Sequence, residues 1–242
     1  MKKLICFVTV LALLLCGCGE KEEAETPVSG QVKPLETTQA TAPEAETEPA
    51  APEGRPVSLG RMEGGEYINE YVGYGCKLSS DWTFYSAEEL QELPANIADM
   101  LEGTEVGDTM EQYTQISDMV AENINDLVTV NVQYTKLGMQ ERIAYAMLTE
   151  EQILEQVLAQ KDMMIASYTQ AGIEVSGMEM VKVTFLGQER FALRTSATIE
   201  EVPYFILQVF NYNLGQYSVV TTFGSYIEDN TLSLLDLFYP IG

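Results

Sequence analysis

From residue 178 to residue 223 the chain alternates apolar and polar residues, and the alternation breaks only where turn chemistry falls. The breaks are Leu186-Gly187-Gln188, Glu200-Glu201-Val202-Pro203 and Asn213-Leu214-Gly215. A period of two puts every second side chain on one face of a pleated strand, and connections this short join only antiparallel neighbours. Strands are therefore predicted over 178–185, 191–199, 204–212 and 217–223, as a four-stranded meander. This feature constrains the fold most, because whatever precedes it must cover a wide antiparallel sheet.

A second strand pair is read at 67–78, where tyrosines and β-branched residues are punctuated by Gly73 and Gly75. The turn Ser79-Ser80-Asp81-Trp82 follows and delivers the single tryptophan, read as a core anchor rather than a ligand platform. Ser86 with Glu89 forms a capping box that opens a short helix, and Pro94 starts another helical turn carrying Ile97, Met100 and Leu101. Residues 113–122 fit helix or strand. The turn Asn123-Ile124-Asn125-Asp126 and the alternating 127–134 after it favour a hairpin. Thr149 and Gln152 form a second capping box. It opens the longest predicted helix, with Ile153, Leu154, Val157, Met164, Ile165 and Tyr168 on one apolar stripe and Gly172 as its stop. A closing helix is predicted over 231–238, with Leu232, Leu235 and Phe238 inward.

The first eighteen residues have a basic head (Lys2, Lys3), an apolar run over 4–15 and a small-residue exit at Gly17, the three parts of an export signal. The run is shorter than the roughly 20 residues that span a bilayer. Leu15-Cys16-Gly17-Cys18 resembles the lipobox of bacterial lipoproteins. That resemblance implies lipidation at Cys18, with Cys18 as the first mature residue and the extracytoplasmic face of the cell membrane as the address. Two or more acyl chains anchor stably where one is marginal. The division expected is a signal peptide over 1–17, the lipidated Cys18 with an acidic Pro/Thr-rich linker over 18–56, and a globular domain over 57–242. The linker has no aromatic residue and almost no bulky apolar one, so it cannot bury enough surface to order itself.

Charge and missing residue types narrow the function. From Pro56 onward the chain holds 28 acidic and 8 basic residues. Such a body repels nucleic acid and an anionic leaflet, so the membrane is expected to be touched through the anchor only. There is no histidine, which removes the commonest general base and the commonest zinc ligand. If Cys18 is acylated, Cys76 has no disulfide partner in the mature chain; it reads as a small buried hydrophobe rather than a reactive thiol. Residues 102–111 carry Glu102, Glu105, Asp108 and Glu111, spaced by three rather than in the alternating pattern of a calcium loop. No catalytic residue, cofactor or metal site is expected. Paired carboxylates acting on a glycan would need a carboxyl pair about 5–10 Å apart in a cleft.

Tyr67-Ile68-Asn69, Tyr74 to Leu78 and Asp81-Trp82 together resemble the opening hairpin and tryptophan turn of the PsbP-like family, with Ser80-Asp81 where that family has a Pro-Gly-like pair. The order of elements over about 66–240 agrees. The resemblance implies an α+β fold, an antiparallel sheet flanked by helices as an α/β/α sandwich, and a binding or assembly role without catalysis. The reading expected is a surface-tethered interaction or assembly lipoprotein with a protein partner in the envelope and no nucleic acid. The alternative is a small-ligand or cation-binding lipoprotein that uses Tyr67, Tyr71, Tyr74, Tyr85, Tyr204, Tyr212 and Tyr217.

Overall fold

The computed structural model describes residues 58–92 and 115–241. The export segment, Cys18, the linker, the turn at Pro94 and the acidic stretch 102–111 lie outside them. Eleven strands are described in two antiparallel sheets. The hairpin at the start of the domain comprises β1 (Arg61–Glu63), β2 (Glu66–Asn69) and β3 (Tyr74–Lys77). The short β4 (Thr83–Phe84) and helix α1 (Ala87–Glu92) follow, and α1 opens on the expected capping box, with Ser86 N donating to Glu89 at 2.8 Å and Glu89 N to Ser86 Oγ at 3.2 Å. The hairpin favoured in the sequence is present as β5 (Gln115–Asn123) and β6 (Val128–Lys136).

Helix α2 (Met139–Met147) has no counterpart in the sequence reading; Glu141 reaches back to Gly138 N at 2.6 Å to cap it. The long helix predicted from Thr149 to Gly172 is two: α3 (Glu150–Ala159), capped by Thr149 and Gln152, and α4 (Lys161–Gln170). Gln160 leaves helical geometry between them, at φ −101° and ψ 13°. The break lets α3 pack on β8 and α4 on β7 across a sheet whose neighbouring strands are rotated against one another. Of the predicted stripe, Ile153, Leu154, Val157, Met164 and Tyr168 are buried and Ile165 is half-buried.

The meander is β7 (Ile173–Phe185), β8 (Gln188–Ile199), β9 (Val202–Leu214) and β10 (Tyr217–Tyr226); five of its eight strand ends reach beyond the alternation, and those at 185, 199 and 217 coincide with it. It joins the earlier hairpin into one seven-stranded sheet ordered β4-β5-β6-β10-β9-β8-β7. The predicted closing helix is instead a 3-10 turn over Ser233–Leu237 followed by β11 (Phe238–Pro240). Strand β11 completes the small sheet, ordered β1-β2-β3-β11, by pairing with β3. Leu232 is exposed, whereas Leu234, Leu235 and Phe238 are buried. Helical spacing fails here because pairing fixes the segment: Tyr239 lies over Gly75, where a Cβ would come within 2.3 Å of its hydroxyl, and it donates to Glu66 Oε1 at 2.6 Å.

The layers follow from these elements. One face of the large sheet packs Val130, Val132, Tyr134, Leu207, Val209, Val219 and Phe223 against Tyr67, Tyr74, Cys76 and Phe238 of the small sheet and Leu234 and Leu235 of the 3-10 turn. The other face carries α2 through Tyr145, α3 through Leu154 and Val157, and α4 through Met164 and Tyr168. Antiparallel sheets with helices are thus the architecture, in agreement with the expected α+β class. Among the described residues helices cover one face and the small sheet the other, where a sandwich with helices on both faces was expected. No described helix is long and apolar enough to cross a membrane.

Candidate docking surface at one end of the sheet

The residues singled out in the sequence are dispersed. Cys18 lies outside the described residues. Cys76 on β3 is free and fully buried, and burial, with the nearby Glu66 carboxylate second, pushes its thiol up to about 12. It is inert at neutral pH. Trp82 is half-buried and packed against the core of the small-sheet face. Of the seven tyrosines, Tyr67, Tyr71, Tyr74 and Tyr204 are buried, and Tyr85, Tyr212 and Tyr217 are partly so. They do not converge: Tyr74 and Tyr217 pack on the small-sheet face, whereas Tyr204 and Tyr212 pack on the helix face.

One of them, Tyr67, enters a polar cluster that the sequence reading missed. The register of β5 against β6 slips between Ser117 and Met119, and the bulge at Asp118 aims its carboxylate at the small sheet. Asp118 accepts from the Tyr67 hydroxyl at 2.5 Å, from Gly60 N at 2.9 Å and from Asn69 Nδ2 at 2.9 Å. Asn69 Nδ2 also lies 2.7 Å from the Tyr134 hydroxyl, which donates to Ser58 O at 3.1 Å. Burial raises the Asp118 carboxyl above its ordinary range, and the bonds from Tyr67, Gly60 and Asn69 pull back against it. No second carboxylate is among its hydrogen-bond partners, so the cluster ties the hairpin to the large sheet rather than forming an acid pair. Its sequence sign is a phase slip: Ile116 and Met119 are three apart yet face the same core. Among the described residues, no three His, Cys, Asp or Glu side chains gather as metal ligands.

The exposed chemistry concentrates at the end of the sheet where β5 meets β6 and β8 meets β9. Ladder bonds bring these turns together with the loop after β10: Tyr226 N donates to Leu127 O at 3.0 Å and Ile227 N to Pro203 O at 2.9 Å. Ile124, Val202, Ile227 and, in the following loop, Leu232 are large apolar side chains open to solvent. Asp126, Glu200, Glu201 and Glu228 stand exposed among them, and the segments 123–127, 200–203 and 226–232 carry no lysine or arginine. Asp229 is held in place by Arg194 and by Thr231. Although burial alone raises its carboxyl, those bonds outweigh it and leave the carboxyl below its ordinary range.

Backbone strain marks the same end. Five described residues other than glycine have left-handed φ, and four of them are here: Leu127 (55°), Glu200 (50°), Glu201 (68°) and Ile227 (69°). Left-handed geometry costs a residue with a Cβ roughly 1–2 kcal/mol, and a β-branched residue is a rare occupant. Glu200 and Glu201 fill a two-residue hairpin turn that favours Asn-Gly. The arrangement holds apolar side chains in water, rims them with carboxylates and fixes their backbone against its preference. A second exposed stripe lies on α2, where Met139, Ile143 and Met147 recur every four residues.

No family model matches the chain, and a comparison with curated proteins finds no match. Among solved structures, the chain is similar to the solution structure of cyanobacterial PsbP (CyanoP) from Synechocystis sp. PCC 6803, at 12% sequence identity and a TM-score of 0.39, over 76% of this chain and 94% of that one.

Proposed function

We propose that the chain is a lipid-anchored protein of the bacterial cell envelope, tethered through Cys18 on the extracytoplasmic face, whose PsbP-like domain is a non-catalytic module that docks a protein partner. The observation that carries the reading is the sheet end just described. Ile124, Val202, Ile227 and Leu232 are exposed side by side with Asp126, Glu200, Glu201 and Glu228. Exposed apolar side chains rimmed by charge of one sign suit a partner that brings apolar anchors and basic residues. Strained backbone held in place by its surroundings is characteristic of surfaces kept for use. The linker over 19–56 sets such a surface away from the membrane at a distance a coil of 38 residues spans, roughly 35 Å. For the PsbP-like assignment, the support is the order of hairpin, tryptophan turn, second hairpin, helices and meander.

The test is cross-linking in intact cells with a photo-reactive residue at position 227, beside the same residue at position 147 on α2. A single envelope protein captured from position 227, and lost in Cys18→Ala, is the expected result. Capture from position 147 alone would move the docking surface to α2. No capture from either position would remove the interaction reading.

A further inference from the structure

The two edges of the seven-stranded sheet are closed differently. At one edge β4 is two residues long, Tyr85 N donates to Val120 O at 2.9 Å just past it, and the bulge at Asp118 breaks the line of β5. At the other edge β7 is 13 residues long and has no proline. Among the described residues it is paired on one side only, by β8. A bulge interrupts it between Val175 and Gly177. From Gly177 to Phe185 the pairing with β8 is one to one, so the outer side presents a regular row of backbone donors and acceptors.

Sheet edges are commonly guarded by charged side chains. The two charges on this regular stretch are turned the other way. Lys182 Nζ donates to Glu189 Oε1 at 2.8 Å and stands 5.1 Å over the Phe191 ring, and the Glu179 carboxylate lies 4.0 Å from Arg194 Nη1. All three partners are on β8. A basic strand arriving at the edge would find Glu179 engaged, and an acidic one would find Lys182 engaged. Between these charges the stretch is apolar on both faces. Val181 is half-buried beside the core that holds Val183 and Phe185 on the small-sheet face, and Met178 and Met180 are half-buried on the helix face.

We infer that this edge pairs with the same edge of a second copy, antiparallel and with Val181 on the two-fold axis, so that the two large sheets continue as one. A two-fold axis perpendicular to the sheet keeps each face on its own side. The valine row of one copy then continues into that of the other, and the methionine row does the same. In this register Glu179 falls opposite Val183 of the second copy and Lys182 opposite Met180, so no like charges are set against each other. Outside the strand both bodies are acidic, with 28 acidic and 8 basic residues from Pro56 onward. They repel through solvent, and salt screens that repulsion while leaving the ladder and the apolar rows in place. The dimer therefore tightens with salt, the reverse of docking a basic partner. The edge shares no residue with the docking end of the sheet, and the inference stands whether or not that end binds a partner.

The test uses the mature full-length chain with Cys18→Ser, so that no acyl chain associates. Sedimentation is followed at salt of about 0.1 M and about 1 M, where the Debye length is about 10 Å and about 3 Å. A dimer is expected, with a dissociation constant about threefold or more lower at the higher salt. Val181→Lys sets two like charges on the axis and should weaken the dimer about tenfold or more. Mild oxidation of Val181→Cys should give a disulfide-linked dimer, whereas Glu174→Cys, on the same strand but beyond the bulge, should stay monomeric. Monomer at every concentration, a dimer that salt dissociates, a dimer that Val181→Lys leaves intact, or equal cross-linking at the two positions overturns the inference. Where Val181→Lys fails to fold, the cysteine pair decides by itself.

Discussion

Thr221 and Thr222 are neighbours on β10, both fully buried, yet they belong to different chemistries. The Thr221 hydroxyl is 2.7 Å from that of Tyr74 across the sheet-to-sheet core. The Thr222 hydroxyl, on the helix face, has no partner among the described residues. The same holds along β6, where Val-Thr-Val-Asn-Val-Gln-Tyr-Thr is buried from end to end. The contrast separates two duties. The face toward the small sheet bonds Tyr67 and Asn69 to Asp118 and Tyr74 to Thr221, and packs Tyr74, Phe185, Phe223 and Phe238 ring against ring, at centroid separations of 5.3 to 6.0 Å. The face toward the helices leaves polar capacity unused.

The largest effect expected belongs to the apolar face. Phe223→Ala removes a fully buried ring and should cost about 3–5 kcal/mol in urea unfolding; a loss below 1 kcal/mol would mean that the ring cluster is not the stabilising side. Next is the tie between the sheets. Asp118→Asn loses acceptor capacity for Gly60 and Asn69 and should cost about 1–3 kcal/mol at neutral pH.

The pH dependence of that variant follows from its sign. The folded state holds the Asp118 carboxyl above its ordinary range, so it keeps a proton the unfolded chain releases. The contribution to stability is fully present below the unfolded carboxyl value, near 4, and declines as pH rises through the folded value. Asp229 is shifted the other way, and its contribution is lost as pH falls through its folded value. Wild-type stability measured against pH should therefore carry a downward component above pH ~4 that Asp118→Asn removes. An unchanged profile would show that Asp118 titrates as an exposed carboxyl.

The sharpest test of the two faces is one substitution made twice. Thr221→Val breaks a satisfied bond and should cost about 1 kcal/mol, whereas Thr222→Val deletes an unsatisfied hydroxyl and should be neutral or stabilising. Equal costs would erase the distinction between the faces. The smallest effect is at the sheet end: Glu201→Gly relieves a left-handed residue at φ 68° and should raise stability by about 0.5 kcal/mol, set by strain relief against the entropy that glycine adds to the unfolded chain.

Much of this was legible before the structure. The meander, the 67–78 hairpin and both capping boxes are local: period, turn residues and a three-residue reach are written in consecutive positions. The 127–134 alternation was read correctly as strand. What it did not reveal is that its polar half is buried, because Thr129, Asn131 and Gln133 look the same facing water or facing an interior. The break at Gln160, the bulge at Asp118 and the strand at 238–240 also escaped. Each depends on a partner far along the chain: the twist of the sheet beneath α3 and α4, the hairpin that receives Asp118, and β3 beside β11.

The acidic character of the body, the antiparallel meander and the lack of histidine chemistry are set by composition and by contacts between near neighbours. The tertiary structure decided which side of each strand is enclosed. It turned an ordinary alternation into one apolar core face and one buried polar face, and it gathered three distant turns into a single apolar and acidic edge. The physical reason is that burial and hydrogen-bond satisfaction are properties of what lies opposite a residue, and in this chain the opposite residue is usually distant in the sequence.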